Sequence, residues 1–211
     1  MITLALDTTG AHCTAALVRD RNYLAYKSEK IGRGHAERLA PMVQEILKAE
    51  ALSASQIDRI VVCTGPGSFT GLRVALSFAK GFALPRKIPV VGVSALQALA
   101  VQADPDMNQS VVSVIDVRRG ELCWGAYQRG REVIAPHTQM TSEAIRDIRK
   151  IGYDRLVGDG SDIVGAASDI TIISGPILGF FAQDLDPSLY PPLPLYSRGP
   201  DAKLPGGITP K

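Results

Sequence analysis

The sequence predicts an α/β fold of two lobes facing each other across a cleft, and three observations carry that prediction. Two stretches run strand, aspartate, turn, strand: "ITLALDTTGAHCTAALV" around Asp7 and "VVSVIDVRRGELCWGAY" around Asp116. A second pair of landmarks follows in the same order. "DRIVVCTGPGS" (58–68) and "DRLVGDGS" (154–161) each read Asp-Arg, an apolar strand, then G-x-G-S. Two ordered matches favour an internal duplication over coincidence. Finally, "RIVVCT" is a continuous apolar strand, as a sheet covered on both faces requires. In such a fold, glycine turns and strand-end aspartates line the cleft.

"ITLALD" reads as a strand ending in Asp7. "CTAALVRD" and "NYLAYKSE" are two further strands joined by a polar turn at residues 19–21. Between Gly34 and Ala51, Leu39, Met42, Val43, Ile46 and Leu47 repeat at helical spacing. Pro41 conflicts with a straight helix there, so it belongs in the first turn or at a kink. After "RIVVCT" come the glycine turn, a helix to about Leu84, the strand "PVVGV", and a helix capped by Ser94. The polar break "QADPDMNQ" (102–109) is the expected boundary. A first lobe is expected over 1–104, a shorter and degenerate second over 105–190, and an extended proline-rich tail over 191–211.

Composition excludes several function classes. Of 211 residues 45% are hydrophobic, enough for a real core, and the net charge of +2 comes without a long single-sign run. A dedicated nucleic-acid footprint is therefore not visible. No apolar run approaches a membrane span, and "MITLALD" lacks the basic flank and cleavage pattern of a signal peptide. Cys13, Cys63 and Cys123 are dispersed through strand-like segments. That suits buried thiols in a reducing cytoplasm, and neither a disulfide framework nor a zinc site.

"GPGSFTGLR" (65–73) is the most unusual stretch. A P-loop would need Lys and a hydroxyl where Leu72 and Arg73 stand. G-x-G-x-x-G fails at Thr70, and a nucleophile elbow around Ser68 fails at Pro66 and Thr70. Two readings remain: an anion cradle at a helix N-terminus, or a turn whose glycines permit unusual φ and close packing. The helix that follows is apolar nearly all round, interrupted only by Thr70, Arg73, Ser77 and Lys80. It must be covered on both sides, by its own sheet and by another element or a partner. Which of Leu72, Leu76, Phe78 and Phe82 face outward is left open. His12, His35 and His137 show no ligand spacing, so no metal is expected. His35 heads a helix as a surface or contact residue. Asp7 and Asp116 could be acids of a phosphotransferase cleft or turn caps.

"LALDTT", "GHAERLAPMVQEIL", "GPGSFTGLRVALSFAKGFA", "IPVVGVSALQALA" and "VIDVRRGELCW" together resemble the TsaB (YeaZ) family, partner subunits of TsaD in bacterial tRNA threonylcarbamoyladenosine synthesis. The resemblance is strong from Ile2 to Tyr127 and holds only in outline beyond. It implies an actin/sugar-kinase/Hsp70-like fold with a shortened second lobe. It also implies a non-catalytic scaffold or activator of the transferase acting at adenosine 37 of ANN-decoding tRNAs. TsaD carries paired metal-binding histidines on a helix. Only His35 stands near the comparable helix here, which implies a subunit with no catalytic residues, cofactor or metal. The resemblance further implies a heterodimer with TsaD, TsaE and tRNA reached only through the complex, a homodimer in isolation, and a cytoplasmic location. The interface is expected on the first-lobe helices, at His35, Leu39, Val43, Leu72, Arg73, Leu76, Ser77 and Lys80. On that reading "GPGSFTGLR" is chiefly the turn that launches a partner-binding helix. A small-molecule kinase or ATPase using Asp7 or Asp116 is the alternative. A peptidase is the third reading, for which no nucleophile–base pair is evident.

Overall fold

A computed structural model describes residues 1–197, and the rest of the expected tail, 198–211, lies outside the described residues. The first sheet contains β1 (Ile2–Asp7), β2 (His12–Arg19), β3 (Asn22–Lys30), β4 (Arg59–Cys63) and β5 (Val90–Val93), in the order β3-β2-β1-β4-β5. β1, β4 and β5 run parallel, whereas β2 and β3 return antiparallel. The second sheet contains β6 (Ser110–Asp116), β7 (Glu121–Gln128), β8 (Arg131–Met140) and β9 (Arg155–Val157), in the order β8-β7-β6-β9. β6 pairs β7 antiparallel and β9 parallel, repeating the first four strands of the first sheet without a fifth. The two sheets therefore share one strand order, in an α/β fold whose second sheet is shortened.

The helices repeat too. α1 (His35–Ala49) and α4 (Thr141–Lys150) each follow the third strand of their sheet, and α2 (Phe69–Ala83) and α5 (Ser161–Val164) follow the fourth. α3 (Ala95–Ala103) and α6 (Gly175–Ala182) lie between the sheets. Five layers result: α1 and α2, the first sheet, α3 and α6, the second sheet, α4 and α5. Strand alternation assigns side chains to layers. Leu4 and Leu6 face α1 and α2, while Ala5 between them faces the central layer. In β6, Val112 and Val114 face the outer layer and Val111 the central one. α6 falls late in the chain yet packs on β1 and β2 of the first sheet, where Gly175 and Gly179 let it approach Ala16 and Val18.

α1 continues through Pro41, which sits on its exposed side in the second turn. Its missing N–H leaves the carbonyl of Glu37 without a helix donor at a solvent-facing position. Arg38 ties α1 to β3, bonding Glu29 of the strand (2.6 and 2.7 Å) and Glu45 two helical turns on (2.7 and 3.0 Å). Ser68 and Ser94 cap α2 and α3, accepting from the N–H groups of Gly71 and Gln97. All three cysteines are buried and free. Among the described residues no helix is long and apolar enough to cross a membrane.

Candidate functional site

Two features of the surface qualify: the cleft between the sheets, and the outer face of α1 and α2. The cleft measures about 430 Å³, and Asp7, Ser68, Asp116 and Asp159 are among the residues lining it. Asp7 and Asp116 stand where the duplicated pattern ends each first strand, and both use their carboxylates on their own turns. Asp7 Oδ1 accepts the N–H and Oγ1–H of Thr9, at 2.9 and 2.6 Å. Asp116 Oδ1 accepts the N–H of Arg118 at 2.8 Å, and its Oδ2 pairs with the same arginine at 2.9 Å. Asp159 Oδ1 accepts the N–H of Asp116 at 3.0 Å, joining the two turns of the second sheet. The bonds of Asp7 and Asp116 run to the residue two positions on, the geometry of a turn cap.

Asp7 is 4% exposed, and burial pushes its carboxyl above the ordinary 3.8. The bonds from Thr9 and the proximity of His35 offset part of that push. Burial likewise raises the Asp159 carboxyl, partly offset by the bond from Asp116 N–H. Because the folded pKa of Asp7 is raised, its favourable contribution is present at low pH and lost as pH rises through that pKa. Asp7→Asn keeps an oxygen acceptor for Thr9 and removes the charge. The variant is expected to melt above the parent chain near neutral pH, with the gap closing as pH falls toward 3.8. Thermal melts across that range check it; a variant that melts lower near neutral pH would refute it.

The glycine turn is packed against the β1–β2 turn. The position of a Cβ on Gly71 is occupied by the carbonyl oxygen of Thr8, and that on Gly67 by Thr9. Thr8 Oγ1 donates to the carbonyl of Gly71 at 2.5 Å, and the Ser68 N–H donates to the carbonyl of Thr9 at 2.7 Å. The turn therefore locks α2 to the end of β1, and Ser68 Oγ serves as a helix cap. Among the described residues no three His, Cys, Asp or Glu side chains converge as a metal site.

The outer face of α1 and α2 corrects part of the sequence reading. Leu39, Val43, Leu72 and Leu76 are at most 6% exposed and lie against the first sheet. They pack the helices onto that sheet, and of the four only Leu39 also lines the groove between α1 and α2. His35 is also buried, its Nε2 without a hydrogen-bond partner among the described residues. Arg73, Ser77 and Lys80 are exposed. Together with Thr70 they form one stripe, spaced three, four and three residues apart, with Gly81 beside it. Phe78 and Phe82 are half-buried, their rings 5.8 Å apart, and Phe78 lines an open groove of about 480 Å³ between the helices. Leu39 reaches the floor of that groove, and Ala36, Val74 and Phe69 form its sides. Phe69 is 53% exposed, with the guanidinium of Arg73 3.8 Å from its ring centre. Nothing in the residue pattern singled out Phe69. It follows the glycine turn directly, where the chain leaves the sheet.

Comparison with known proteins gives a consistent result. A family model described as "TsaD: tRNA N6-adenosine threonylcarbamoyltransferase" matches residues 27–167. The Escherichia coli K12 tRNA threonylcarbamoyladenosine biosynthesis protein TsaB is 33% identical over 197 residues, covering 87% of this chain and 84% of that protein. The Bacillus subtilis 168 protein of the same name is 32% identical over 165 residues, covering 73% and 72%. Among solved structures, YeaZ from Pseudomonas aeruginosa has a TM-score of 0.67 at 26% identity, covering 92% of this chain and 99% of that one.

Proposed function

The chain belongs to the TsaB family of tRNA threonylcarbamoyladenosine biosynthesis proteins, and from that premise we propose that it is a non-catalytic subunit that binds and activates a TsaD-type transferase. Its place in this tRNA modification pathway follows from the family. The role within it rests on one observation above all: the exposed stripe of α2 beside the groove on α1. Thr70, Ser77 and Gly81 are small enough to let a partner helix approach closely, while Arg73 and Lys80 edge the contact. Neither cation meets a carboxylate among the described residues, which suits a partner face carrying acidic groups. The match to a TsaD-type family model supports pairing between two chains of related fold. In isolation the same face pairs two copies, and TsaE and tRNA are reached through the complex.

The non-catalytic part of the reading is supported by what the cleft side chains are already doing. Asp7 and Asp116 cap turns and Ser68 caps a helix. The test is co-purification with the same organism's TsaD, followed by tRNA modification with and without this chain. Formation of the complex and dependence of modification on it are expected. Full modification by TsaD with its other partners, in the absence of this chain, would overturn the proposal. Direct titration of nucleotide into the isolated chain discriminates the alternative: saturable binding with turnover would favour a small-molecule kinase or ATPase using the cleft.

A further inference from the structure

We propose that the segment 186–197 is a strap that completes the partner-recognition surface, with Tyr196 as a positioning residue for Phe69 and Arg73; this rests on the outer face of α1 and α2 being that surface. The strap leaves α6, crosses the C-terminal ends of β4 and β5, and finishes at the start of α2. Pro187, Pro191, Pro192 and Pro194 fix φ along it and remove donors, so it cannot pair as a continuous sixth strand. Two backbone bonds anchor it instead. The Gly92 N–H donates to the carbonyl of Tyr190 at 2.9 Å, and the Leu195 N–H to the carbonyl of Thr64 at 2.7 Å.

Two glycines make room for it. A Cβ on Gly92 would stand 2.7 Å from the Pro191 carbonyl oxygen, and one on Gly65 would stand 2.8 Å from that of Leu195. Gly65 is the first residue of the turn "GPGSFTGLR"; the strap closes over it, Leu72 Cδ1 would stand 2.5 Å from a Cβ there, and its φ of 96° is itself a glycine conformation. Beyond the second anchor, Tyr196 packs on Phe69, the ring centres 5.3 Å apart and the planes inclined by 36°. Phe69 in turn carries the Arg73 guanidinium. Tyr196 and Phe69 remain 45% and 53% exposed in this arrangement. Two half-exposed aromatic rings and an arginine, contiguous with the groove, are the side-chain types that dominate binding energy at protein interfaces. The strap pre-sets their geometry before a partner arrives, which lowers the ordering cost of binding. The surface fits a TsaD-type subunit offering an apolar side chain to the Phe69 ring, which Tyr196 holds from behind, and an acceptor to Arg73.

The test is the affinity for the same organism's TsaD, measured for Tyr196→Ala, Tyr196→Phe, Phe69→Ala and the double variant Tyr196→Ala with Phe69→Ala. Loss of the aromatic contact is expected to weaken binding about tenfold in Tyr196→Ala, while Tyr196→Phe binds as the parent chain does. Because Tyr196 acts through Phe69, the double variant is expected to bind no more weakly than Phe69→Ala alone. A structural role would give additive losses. Tyr196→Leu, which keeps apolar bulk, carries the same comparison if alanine lowers the melting temperature. Parent-like binding by Tyr196→Ala, or losses that multiply in the double variant, would overturn the inference. So would loss of self-association alone with TsaD binding intact, since the occupant would then be a second copy. Failure of the parent chain to bind TsaD would overturn the reading of the face itself, and this inference with it.

Discussion

Arg73→Glu combined with Lys80→Glu is expected to weaken capture of TsaD by about 100-fold or more, because like-charge juxtaposition at an interface costs several kcal/mol and each 1.4 kcal/mol is tenfold. tRNA modification should fall in parallel. Both side chains are exposed and lie seven residues apart on one stripe of α2. Arg73 lies over the ring of Phe69, and neither it nor Lys80 has an ion pair among the described residues. The fold should therefore survive, with a melting temperature within about 2 °C of the parent, since surface substitutions away from special features stay within about 0.5 kcal/mol. Unchanged TsaD binding and modification in a folded double variant would end the assignment of this face. Conversely, lost binding with restored modification at high TsaD concentration would identify affinity as the quantity changed.

The second large effect is on stability and has a built-in control. In an ordinary helix Gly→Ala gains up to about 1 kcal/mol. Gly81 is exposed in α2 with nothing within 4 Å of its Cβ position, so Gly81→Ala should show that gain. Gly71, ten residues earlier in the same helix, should show the reverse. Its Cβ would overlap the Thr8 carbonyl oxygen, a backbone atom held where the Thr8 hydroxyl bonds Gly71. The helix must move off the end of β1 to admit a methyl group, and a loss of about 3 kcal/mol or more is expected. For a chain of this size that lowers the melting temperature by roughly 10 °C. Thermal unfolding of both variants decides the matter. A Gly71→Ala chain as stable as Gly81→Ala would mean that the turn yields at no cost, and that its glycines are not packing residues.

The first sheet was nearly fully legible from residue order. "ITLALD", "RIVVCT" and "PVVGV" coincide with β1, β4 and β5, and the caps at Ser68 and Ser94 start α2 and α3. Two-residue alternation and helical spacing are local properties, so the sequence states them directly. The second sheet was read less fully. β8 carries Pro136 and α6 is short and apolar on all sides, so neither shows a clear period in the sequence. Pro136 demotes a strand in a sequence reading, although at the edge of a sheet, where β8 lies, it does no harm.

The sequence by itself determined the α/β class, the paired aspartates, the duplicated strand order and the family. Each is written within a window of about 20 residues or in the repetition of one. Only the tertiary structure decided which face of α2 looks outward. The polar interruptions Thr70, Arg73, Ser77 and Lys80 fall on one stripe, yet residue order leaves open which of Leu72, Leu76, Phe78 and Phe82 face outward; in the structure Leu72 and Leu76 are core. The structure also decided why the glycines are glycine. Gly65, Gly67 and Gly71 meet Leu195, Thr9 and Thr8, partners as many as 130 residues away. A residue with no side chain records nothing of what occupies the space beside it. That space is set by backbone approaching from distant parts of the chain, and such approaches exist only once the chain has folded.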